Sequence, residues 1–256
     1  MTRIIRFDDE GTPRYGRAYG DGEVQVLSSA PWHGGTPVGK VLALEGLRLL
    51  APSEPTKVVC AGRNYAAHAR ELGNELPKEP LVFIKPASSV VGPGDAIRLP
   101  PQSADVQHEA ELALVIGKRC RGVSEHEAKE YVAGFTCLND VTARDIQRAE
   151  GHFTRSKSFD SFCPIGPWIV EGWDDEPRAV RCRVGDELRQ DGNTRAMIFR
   201  PAALVAFVSS VMTLEPGDVI ATGTPAGVAR IEAGQTVAVE IERIGTLSNP
   251  VVAEGR

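Results

Sequence analysis

The sequence predicts an α+β fold in which strands predominate. Its 26 glycines and 18 prolines are spread between short apolar runs rich in β-branched residues, as in a protein of many strands and turns. One long segment, residues 200–214, has apolar residues at the spacing of a helix. Hydrophobic residues make up 42% of the chain and charged residues 25%. These are the proportions of a folded globular protein, and they exclude a disordered or fibrous chain.

The amino-terminal segment is predicted to form three short strands, with the sequences TRIIRF, PRYGRAYG and EVQVL. The turn sequences DDEG and GDG separate these strands. At residues 52–55 the chain becomes extended and polar before the apolar strand KVVCAG, which indicates a boundary. The sequence therefore predicts a small β-rich amino-terminal domain, residues 1–55, and a main domain, residues 56–256.

The main domain is predicted to combine strands with three helices. The first helix extends from Asn64, a residue type that caps helices, to Gly73. Ser124 and Glu127 form a capping-box pattern that opens a second helix through Lys129. The third helix is residues 200–214, with its apolar face formed by Leu204, Val205, Val208, Val211 and Met212. The predicted β segments are KVVCAG, LVFIKP, VQHEAELALVIG, VAGFTCLND, EPGDVIATGTPAGV and QTVAVEIERIGTLSNPV.

Charge and hydropathy favour a cytoplasmic protein that binds small molecules. The 29 basic and 34 acidic residues give a net charge of −5, and no basic run indicates binding to nucleic acid or to an anionic membrane. No apolar run approaches the roughly 18–20 residues that cross a bilayer, and charge precedes any signal-type stretch at the amino terminus. The five cysteines form no C-x-x-C pair, as expected of reduced, buried thiols in the cytosol.

Two glutamates lie at the start of a strand that should be buried. In residues 106–116, VQHEAELALVI, side chains alternate between two faces, and both faces become apolar. Glu109 and Glu111 share one face, with Cβ atoms about 7 Å apart. Two such charges repel by roughly 2.5 kcal/mol at an effective dielectric constant of about 20. Each also loses hydration, so something must compensate their charge.

A shared proton, Lys or Arg partners, or a divalent cation could supply this compensation. Asp140 ends the next predicted strand, where the chain turns, and could complete a cation site with Glu109 and Glu111. Such an all-oxygen site suits Mg²⁺, Mn²⁺ or Ca²⁺ rather than zinc. Alternatively, both glutamates lie on the solvated end of the strand and Asp140 caps a helix.

His68 and Glu71 form a possible acid–base pair. A spacing of three residues places both side chains on one face of the predicted first helix. A carboxylate bonded to one imidazole nitrogen raises the basicity of the other nitrogen, which prepares the histidine to deprotonate water. The alternative is an exposed pair without a role.

Two lysines and one glycine-rich segment could face an anionic substrate. Lys85 follows the apolar residues LVFI, and Lys157 lies in RSKSFDSFCPIGP. Each is either a surface residue whose stem is buried or a fixed positive charge in a site. In TGTPAGV, a threonine hydroxyl and neighbouring N–H groups could bind a carboxylate, or the segment is a tight turn between strands.

Several common motifs are absent from the sequence. It contains no G-x-x-x-x-G-K-[ST], no G-x-G-x-x-G after a strand, no H-E-x-x-H and no G-x-S-x-G. Nucleotide-binding, zinc-protease and serine-hydrolase functions therefore lose most of their support.

A set of motifs follows in a characteristic order along the chain: GRNYAAHARELG, FIKPASSVVGPGD, HEAELALVIG, GFTCLNDVTARDIQ, SKSFDSFCPIGPW, DGNTRAMIF, LEPGDVIATGTPAGV and GTLSNPV. As an ordered set, covering about Lys57 to Val251, they resemble the fumarylacetoacetate hydrolase family. The similarity is to its bacterial 2-hydroxyhepta-2,4-diene-1,7-dioate isomerases, acylpyruvate hydrolases and oxaloacetate decarboxylases. Residues before about 55 resemble the small amino-terminal domain of many bacterial members.

The resemblance implies a mixed β-sandwich roll with peripheral helices, usually found as a homodimer. It also implies a Mg²⁺ or Mn²⁺ cofactor, with Ca²⁺ possible in crystals. Glu109, Glu111 and Asp140 match the metal-ligand motifs of the family. A further aspartate ligand of the original hydrolase has no clear counterpart near Asn64, so water or substrate oxygens would complete the coordination.

The resemblance also implies roles for residues around the metal. His68 and Glu71 match the H-x-x-E dyad of members that cleave acylpyruvates, and Lys157 matches the lysine of the SKSFD motif. These three are the expected catalytic residues. The expected substrate-binding residues are Arg144, Gln147, Thr224 and Lys85.

The expected activity is magnesium-dependent chemistry on 2-oxo and 2-hydroxy-enoic acids. A cation bound by the 2-oxo acid stabilises the enolate left when a bond at C3 breaks. Hydrolysis of an acylpyruvate at C3–C4 is favoured by the His68–Glu71 pair, with isomerisation in the catabolism of aromatic compounds and oxaloacetate decarboxylation as alternatives. A non-catalytic metal-binding module is the alternative from another class.

Overall fold

The computed structural model describes residues 2–20, 22–71, 73 and 75–255 of the chain. Its strands are β1 (Thr2–Asp9), β2 (Thr12–Tyr19), β3 (Glu23–Leu27), β4 (Pro37–Ala43), β5 (Lys57–Gly62), β6 (Leu81–Pro86), β7 (Val90–Val91), β8 (Ile97–Leu99), β9 (Val106–Gln107), β10 (Ala110–Ile116), β11 (Val132–Asn139), β12 (Thr142–Ala143), β13 (Cys163–Glu171), β14 (Ala179–Val184), β15 (Glu187–Asn193), β16 (Val219–Ala221), β17 (Thr236–Ile241) and β18 (Gly245–Ala253). Its α-helices are α1 (Ala66–Glu71), α2 (Arg144–Glu150), α3 (Thr154–Lys157) and α4 (Pro201–Val211). The predicted α+β fold, dominated by strands, is confirmed.

The strands form two large sheets. Within the described ranges, eleven strands form the larger sheet in the order β4-β3-β2-β1-β13-β11-β10-β16-β5-β6, with β7 paired to β13. A second sheet has the order β15-β14-β17-β18-β8, and β9 pairs with β12. Both large sheets are mixed, because β16 is parallel to β5 and β18 is parallel to β8.

The main core lies between these two sheets. Leu112 and Leu114 of β10 belong to one cluster of buried residues with Val239 of the second sheet. Ala113 and Val115 point to the opposite face and belong to a second cluster. The period-two alternation of β10 therefore places apolar side chains on both faces, as predicted for a central strand. This arrangement is the expected sandwich.

The ends of four neighbouring strands meet at one place. Ala110, which begins β10, pairs with Asn139, which ends β11. Because β16 runs antiparallel to β10 and parallel to β5, the carboxyl ends of β16 and β5 lie at this same end of the sheet. The residues just before β10 and just after β11, β5 and β16 are therefore close together, and this is where the candidate site lies.

The three predicted amino-terminal strands correspond to β1, β2 and β3. β1 also pairs with β13, through Arg3 with Val170 and Ile4 with Ile169, so the amino-terminal strands extend the larger sheet. β4 was not predicted, because this mostly exposed edge strand contains Pro37 and gives only a weak pattern. The domain division at residue 55 remains a prediction.

The first helix is shorter than predicted. Of the segment from Asn64 to Gly73, the described helix covers only α1, and Leu72 lies outside the described residues. The prediction that Asn64 caps this helix is wrong. Its amide donates to the carbonyls of Phe199 at 2.9 Å and Thr222 at 2.7 Å and accepts from the Phe199 N–H at 2.7 Å. These distant backbone groups satisfy the side chain, so it does not bond to the helix.

The second predicted helix is reduced to a short 3-10 turn. The capping box does form, since the Glu127 carboxylate accepts from the N–H of Ser124 at 3.0 Å and from its hydroxyl at 2.7 Å. The helical segment that follows is only Ala128–Glu130. In the third helix Leu204, Val205 and Val208 are buried as predicted, whereas Met212, just past its end, is partly buried and Val211 is 53% exposed.

The strand predicted over residues 106–116 is interrupted between β9 and β10. Here the N–H of Glu109 donates to the side chain of Asn139 at 3.0 Å rather than to a strand carbonyl. The His108 ring contacts Gln190 on the opposite side, at 3.0 Å. The two residues still alternate in direction, so the predicted separation of faces holds.

No helix in the described ranges combines the length and the apolar character that crossing a membrane requires.

Candidate active site

A cavity of about 260 Å³ opens where the strand ends meet. Most of the residues predicted for the site line this cavity. They are His68, Glu109, Glu111, Asp140, Arg144, Gln147, Lys157 and Thr224. The structure therefore brings together residues from six separate segments, although these are up to 156 positions apart in the sequence.

Three buried carboxylates converge in the cavity. Glu109 and Glu111 flank the start of β10, and Asp140 directly follows β11. One oxygen of each carboxylate lies within 4.8 Å of the others. All three side chains are buried, so the alternative of a solvated strand end does not apply.

Glu109 is held between two cations. Lys157 Nζ donates to one carboxylate oxygen at 2.8 Å, and Arg144 donates to the other. Burial alone would raise the pKa of Glu109, but the charges of Lys157 and Arg144 lower it well below its usual value. Glu109 is therefore ionised at neutral pH.

Asp140 is held between two lysines. Lys85 Nζ donates to one carboxylate oxygen and Lys157 Nζ to the other, both at 2.6 Å. Burial alone would lower the pKa of Lys157, but the charges of Asp140 and Glu109 raise it above its usual value. Lys157 therefore remains a fixed cation that bridges two of the three carboxylates.

Glu111 has no cationic partner among the described residues. Its Oε2 accepts from the N–H of Gly223 at 2.7 Å. Burial raises the pKa of Glu111 well above its usual value, and the nearby Asp140 and Glu109 charges raise it further. The cluster therefore lacks positive charge at this one carboxylate.

The donor set fits a divalent cation that prefers oxygen. Three carboxylates converge, and the buried Glu111 carboxylate has only a backbone N–H as its hydrogen-bond partner among the described residues, in line with the raised direction of its pKa. The sequence suggested three possible kinds of compensation. Lys85, Lys157 and Arg144 pair with Glu109 and Asp140, so Lys and Arg partners supply the compensation at these two carboxylates. A cation bound beside Glu111 would supply the positive charge that this carboxylate lacks among the described residues.

His68 and Glu71 form the predicted contact on α1. His68 Nδ1 lies 3.1 Å from Glu71 Oε2, and the other Glu71 oxygen accepts from the N–H of Gly227 at 3.0 Å. Glu71 thereby fixes the orientation of the buried ring, and Nε2 remains to exchange a proton. Glu71 itself is outside the cavity lining, so its effect on the cavity passes through His68.

The predicted substrate-binding residues lie in different environments. Arg144 contacts Gln107 and Gln147 as well as Glu109, so its position is fixed. The Thr224 hydroxyl donates to the carbonyl of Ala110 at 2.9 Å. Lys85 is fully buried and outside the cavity lining, where it contacts Asp140 and the Val141 carbonyl. It is therefore placed to position Asp140 rather than to touch a ligand.

Several lining residues were not predicted from the sequence. Arg63, Arg148, Phe83 and Phe153 belong to this group, and the two phenylalanine rings pack with their centroids 4.8 Å apart. Phe83 could have been identified, because it lies two positions before Lys85 and so shares its strand face. The other three have no periodic signal.

Gln190 supports the cavity from the second sheet and was also missed. Its oxygen accepts from the Ala110 N–H at 3.0 Å, and its amide donates to the Thr224 hydroxyl at 2.7 Å and to the Pro225 carbonyl at 2.8 Å. Because the partners are about 35 and 80 residues away, local sequence contained no signal for these bonds.

Comparison with protein families gives two matches that together span most of the chain. Residues 57–252 match the family described as fumarylacetoacetate (FAA) hydrolase, C-terminal. Residues 2–52 match the family described as Rv2993c-like, N-terminal.

Individual relatives are similar over nearly the whole chain. A 2-hydroxyhepta-2,4-diene-1,7-dioate isomerase from Mycobacterium marinum is 40% identical, with a TM-score of 0.92 and complete coverage of both chains. The mitochondrial oxaloacetate tautomerase fahd2 of Xenopus laevis is 44% identical over 83% of this chain and 70% of its own. A maleylpyruvate hydrolase from Sphingobium sp. SYK-6, solved with manganese(II) and pyruvate, is 32% identical, with a TM-score of 0.79 and coverage of 99% and 100%.

Proposed function

The chain belongs to the fumarylacetoacetate hydrolase family of enzymes, and on this premise we propose that it is a divalent-cation-dependent enzyme of 2-oxo acids and their 2-hydroxy-enoic forms. One observation carries the proposal: a buried three-carboxylate cluster and a carboxylate-bound histidine line the same cavity. The similar enzymes act as isomerases, tautomerases and hydrolases, so the chemistry shared by these reactions is the starting point.

Glu109, Glu111 and Asp140 would hold the cation, with Mg²⁺ or Mn²⁺ as the proposed metal. The hydrolase from Sphingobium, which was solved with manganese(II), supports this choice. When bound, the cation would supply Lewis-acid polarisation of the 2-oxo group. Lys85 and Lys157 keep Asp140 in place for this role.

His68 is proposed to move the proton in the reaction. Glu71 accepts from Nδ1 and so leaves Nε2 as the basic nitrogen. Lys157 would contribute positive charge near the reacting carbons, because its buried ammonium lines the cavity and lies 5.1 Å from the centroid of the Phe83 ring. Arg144, which pairs with Glu109, would add positive charge that attracts the anionic 2-oxo acid.

Hydrolysis of an acylpyruvate at C3–C4 is our first candidate reaction. His68 takes one proton from water while the water oxygen forms a bond to C4, where Lys157 stabilises the oxyanion. The C3–C4 bond then breaks and its electron pair goes to C3. The proton returns from His68 to C3, which yields pyruvate and a carboxylic acid.

Tautomerisation or isomerisation is the second candidate. Here His68 would carry a proton to or from C3 without cleavage of a carbon–carbon bond. The similarity to an oxaloacetate tautomerase and to a dienedioate isomerase favours it. Decarboxylation of oxaloacetate would use the same site, with CO₂ leaving from C3.

The wider context is proposed from the family resemblance. We propose a homodimer that acts in the cytoplasm, and a role in the catabolism of aromatic compounds for the isomerase reaction. A non-catalytic module is disfavoured, because the named relatives are enzymes.

The test is turnover of three substrates followed by nuclear magnetic resonance. Acetylpyruvate, oxaloacetate and a 2-hydroxy-diene diacid are each incubated with Mg²⁺ and with EDTA. We expect turnover with Mg²⁺ and its loss with EDTA, and the products identify the reaction. His68→Asn should lower kcat at least about 100-fold, because it removes the general base.

His126→Asn is the matched control, since this exposed histidine lies outside the cavity lining. Turnover that persists in EDTA, or His68→Asn activity equal to that of the control, would contradict the proposal.

A further inference from the structure

Arg63 is a cavity-lining cation without a hydrogen-bonding or ionic partner among the described residues. It follows directly after β5 and lines the cavity. Over the part of the chain that the structure describes, its side chain makes no hydrogen bond or ion pair with the protein. By contrast, Lys157 and Arg144 bind Glu109, and Lys85 binds Asp140. Arg148 at the cavity rim pairs with Asp105 at 3.2 Å.

The backbone of Arg63 is unusual for an arginine. Its φ of +56° lies in the left-handed region, which few residues other than glycine adopt. The next residue, Asn64, fixes this turn through its three side-chain hydrogen bonds to distant backbone groups. A turn alone would favour glycine at this position. The arginine therefore suggests a role for its side chain in the cavity.

The charge balance of the cavity indicates what Arg63 could bind. The three paired cations, Lys85, Lys157 and Arg144, equal the three carboxylates of the cluster in number. A bound divalent cation and Arg63 would therefore leave three positive charges in excess. A 2-oxo monocarboxylate would neutralise one of them, whereas a second carboxylate on the same molecule would neutralise another.

We propose that Arg63 binds a distal carboxylate of the substrate, so that the preferred substrates are 2-oxo dicarboxylates. A guanidinium group matches a carboxylate through two parallel hydrogen bonds and remains charged at every physiological pH. Phe83 and Phe153 in the same lining offer apolar surface to the carbon chain between the two ends. This inference rests on the proposed function, and it assigns a specificity residue that the reaction itself does not require.

Two inert 2-oxo acids test the proposal by calorimetric titration in Mg²⁺. 2-Oxoglutarate and 2-oxopentanoate share a chain length and a 2-oxo acid end, and they differ in the distal carboxylate. We expect the wild-type protein to bind 2-oxoglutarate at least about tenfold more tightly, since a charged hydrogen-bonded pair contributes this much. In Arg63→Met this preference should disappear, and Arg63→Lys should restore part of it.

Two controls distinguish the loss of carboxylate binding by Arg63 from the general loss of a positive charge and from damage to the folded site. Arg119→Met removes an exposed arginine that pairs with Glu215 away from the cavity, and it should keep the wild-type preference. The affinity of Arg63→Met for 2-oxopentanoate should remain within about twofold of wild type, because this acid has no distal carboxylate for Arg63 to bind. This result would show that the rest of the site is intact.

The outcomes distinguish this inference from the proposed function. Equal wild-type affinity for both acids, or an Arg63→Met variant that loses both affinities equally, would overturn the role of Arg63 and leave the proposed function standing. If the wild-type protein binds neither acid in Mg²⁺, or binds both acids as tightly in EDTA as in Mg²⁺, the proposed function fails and this inference fails with it.

Discussion

Glu111 differs from the other carboxylates of the cluster in the charge that surrounds it. Glu109 and Asp140 each contact two cationic groups, whereas Glu111 accepts, within the described part of the chain, only the N–H of Gly223. Burial of an anion without a positive partner is costly, which is why the pKa of Glu111 is raised while that of Glu109 is lowered. A divalent cation would remove this imbalance, so Glu111 is the residue at which metal binding can be tested most directly.

Glu111→Gln should weaken Mg²⁺ binding at least about tenfold, because it replaces an anionic ligand by a neutral one. The thermal midpoint of the metal-free variant should not fall, since the substitution removes a buried carboxylate that forms no ion pair with any described residue. Calorimetric titration and thermal unfolding measure the two effects. Glu187→Gln, at an exposed carboxylate outside the cavity lining, is the control. Unchanged Mg²⁺ affinity in Glu111→Gln would count against the ligand assignment.

At the scale of elements, Asp218 fixes the start of β5 against β16. Its Oδ1 accepts from the Thr56 N–H at 3.0 Å and the Thr56 hydroxyl at 2.7 Å, and its Oδ2 from the Glu215 N–H at 2.9 Å. Lys57 adds an ion pair to this fully buried carboxylate. These bonds set the parallel register of β5 and β16, whose opposite ends frame the cavity.

Asp218→Ala should lower the free energy of unfolding by about 3 kcal/mol, because several donors and the Lys57 charge lose a buried partner. Urea denaturation measures this change. Arg119→Ala, which breaks the exposed pair with Glu215, should cost less than about 1 kcal/mol. Equal effects of the two substitutions would contradict the structural role of Asp218.

At the scale of the whole molecule, all five cysteines are free and buried, as the sequence predicted. Burial raises the pKa of Cys137, Cys163 and Cys182 to about 12. It also raises the pKa of Cys60 well above its usual value. The thiolate, the reactive form, is therefore scarce at neutral pH in the folded protein.

Labelling of the native protein with 5,5′-dithiobis(2-nitrobenzoate) at pH 8 should consequently be slow at all five thiols. A raised pKa reduces the thiolate fraction at pH 8, so labelling should accelerate as the pH is raised further or as the protein unfolds. Absorbance at completion in denaturant should give five thiols per chain. Rapid labelling of the native protein would show that the core is more open than the structure indicates.

Local patterns were informative where one segment determines the outcome by itself. The alternation in residues 106–116 predicted that Glu109 and Glu111 share a face, and the spacing of His68 and Glu71 predicted their contact. Helix lengths were predicted less well. At Asn64 the capping pattern was overridden by hydrogen bonds to backbone more than 130 residues away.

Period, composition and motif order were sufficient to predict the dominance of strands, the buried central strand with its two carboxylates, and the family resemblance. The pairing of charges, by contrast, became evident only in the folded chain. It placed Lys85 on Asp140 and Lys157 between Glu109 and Asp140, and it left Glu111 and Arg63 without ionic partners in the described chain. The physical reason is that pairing energy depends on distance and burial, and both are set by the packing of strands remote in sequence.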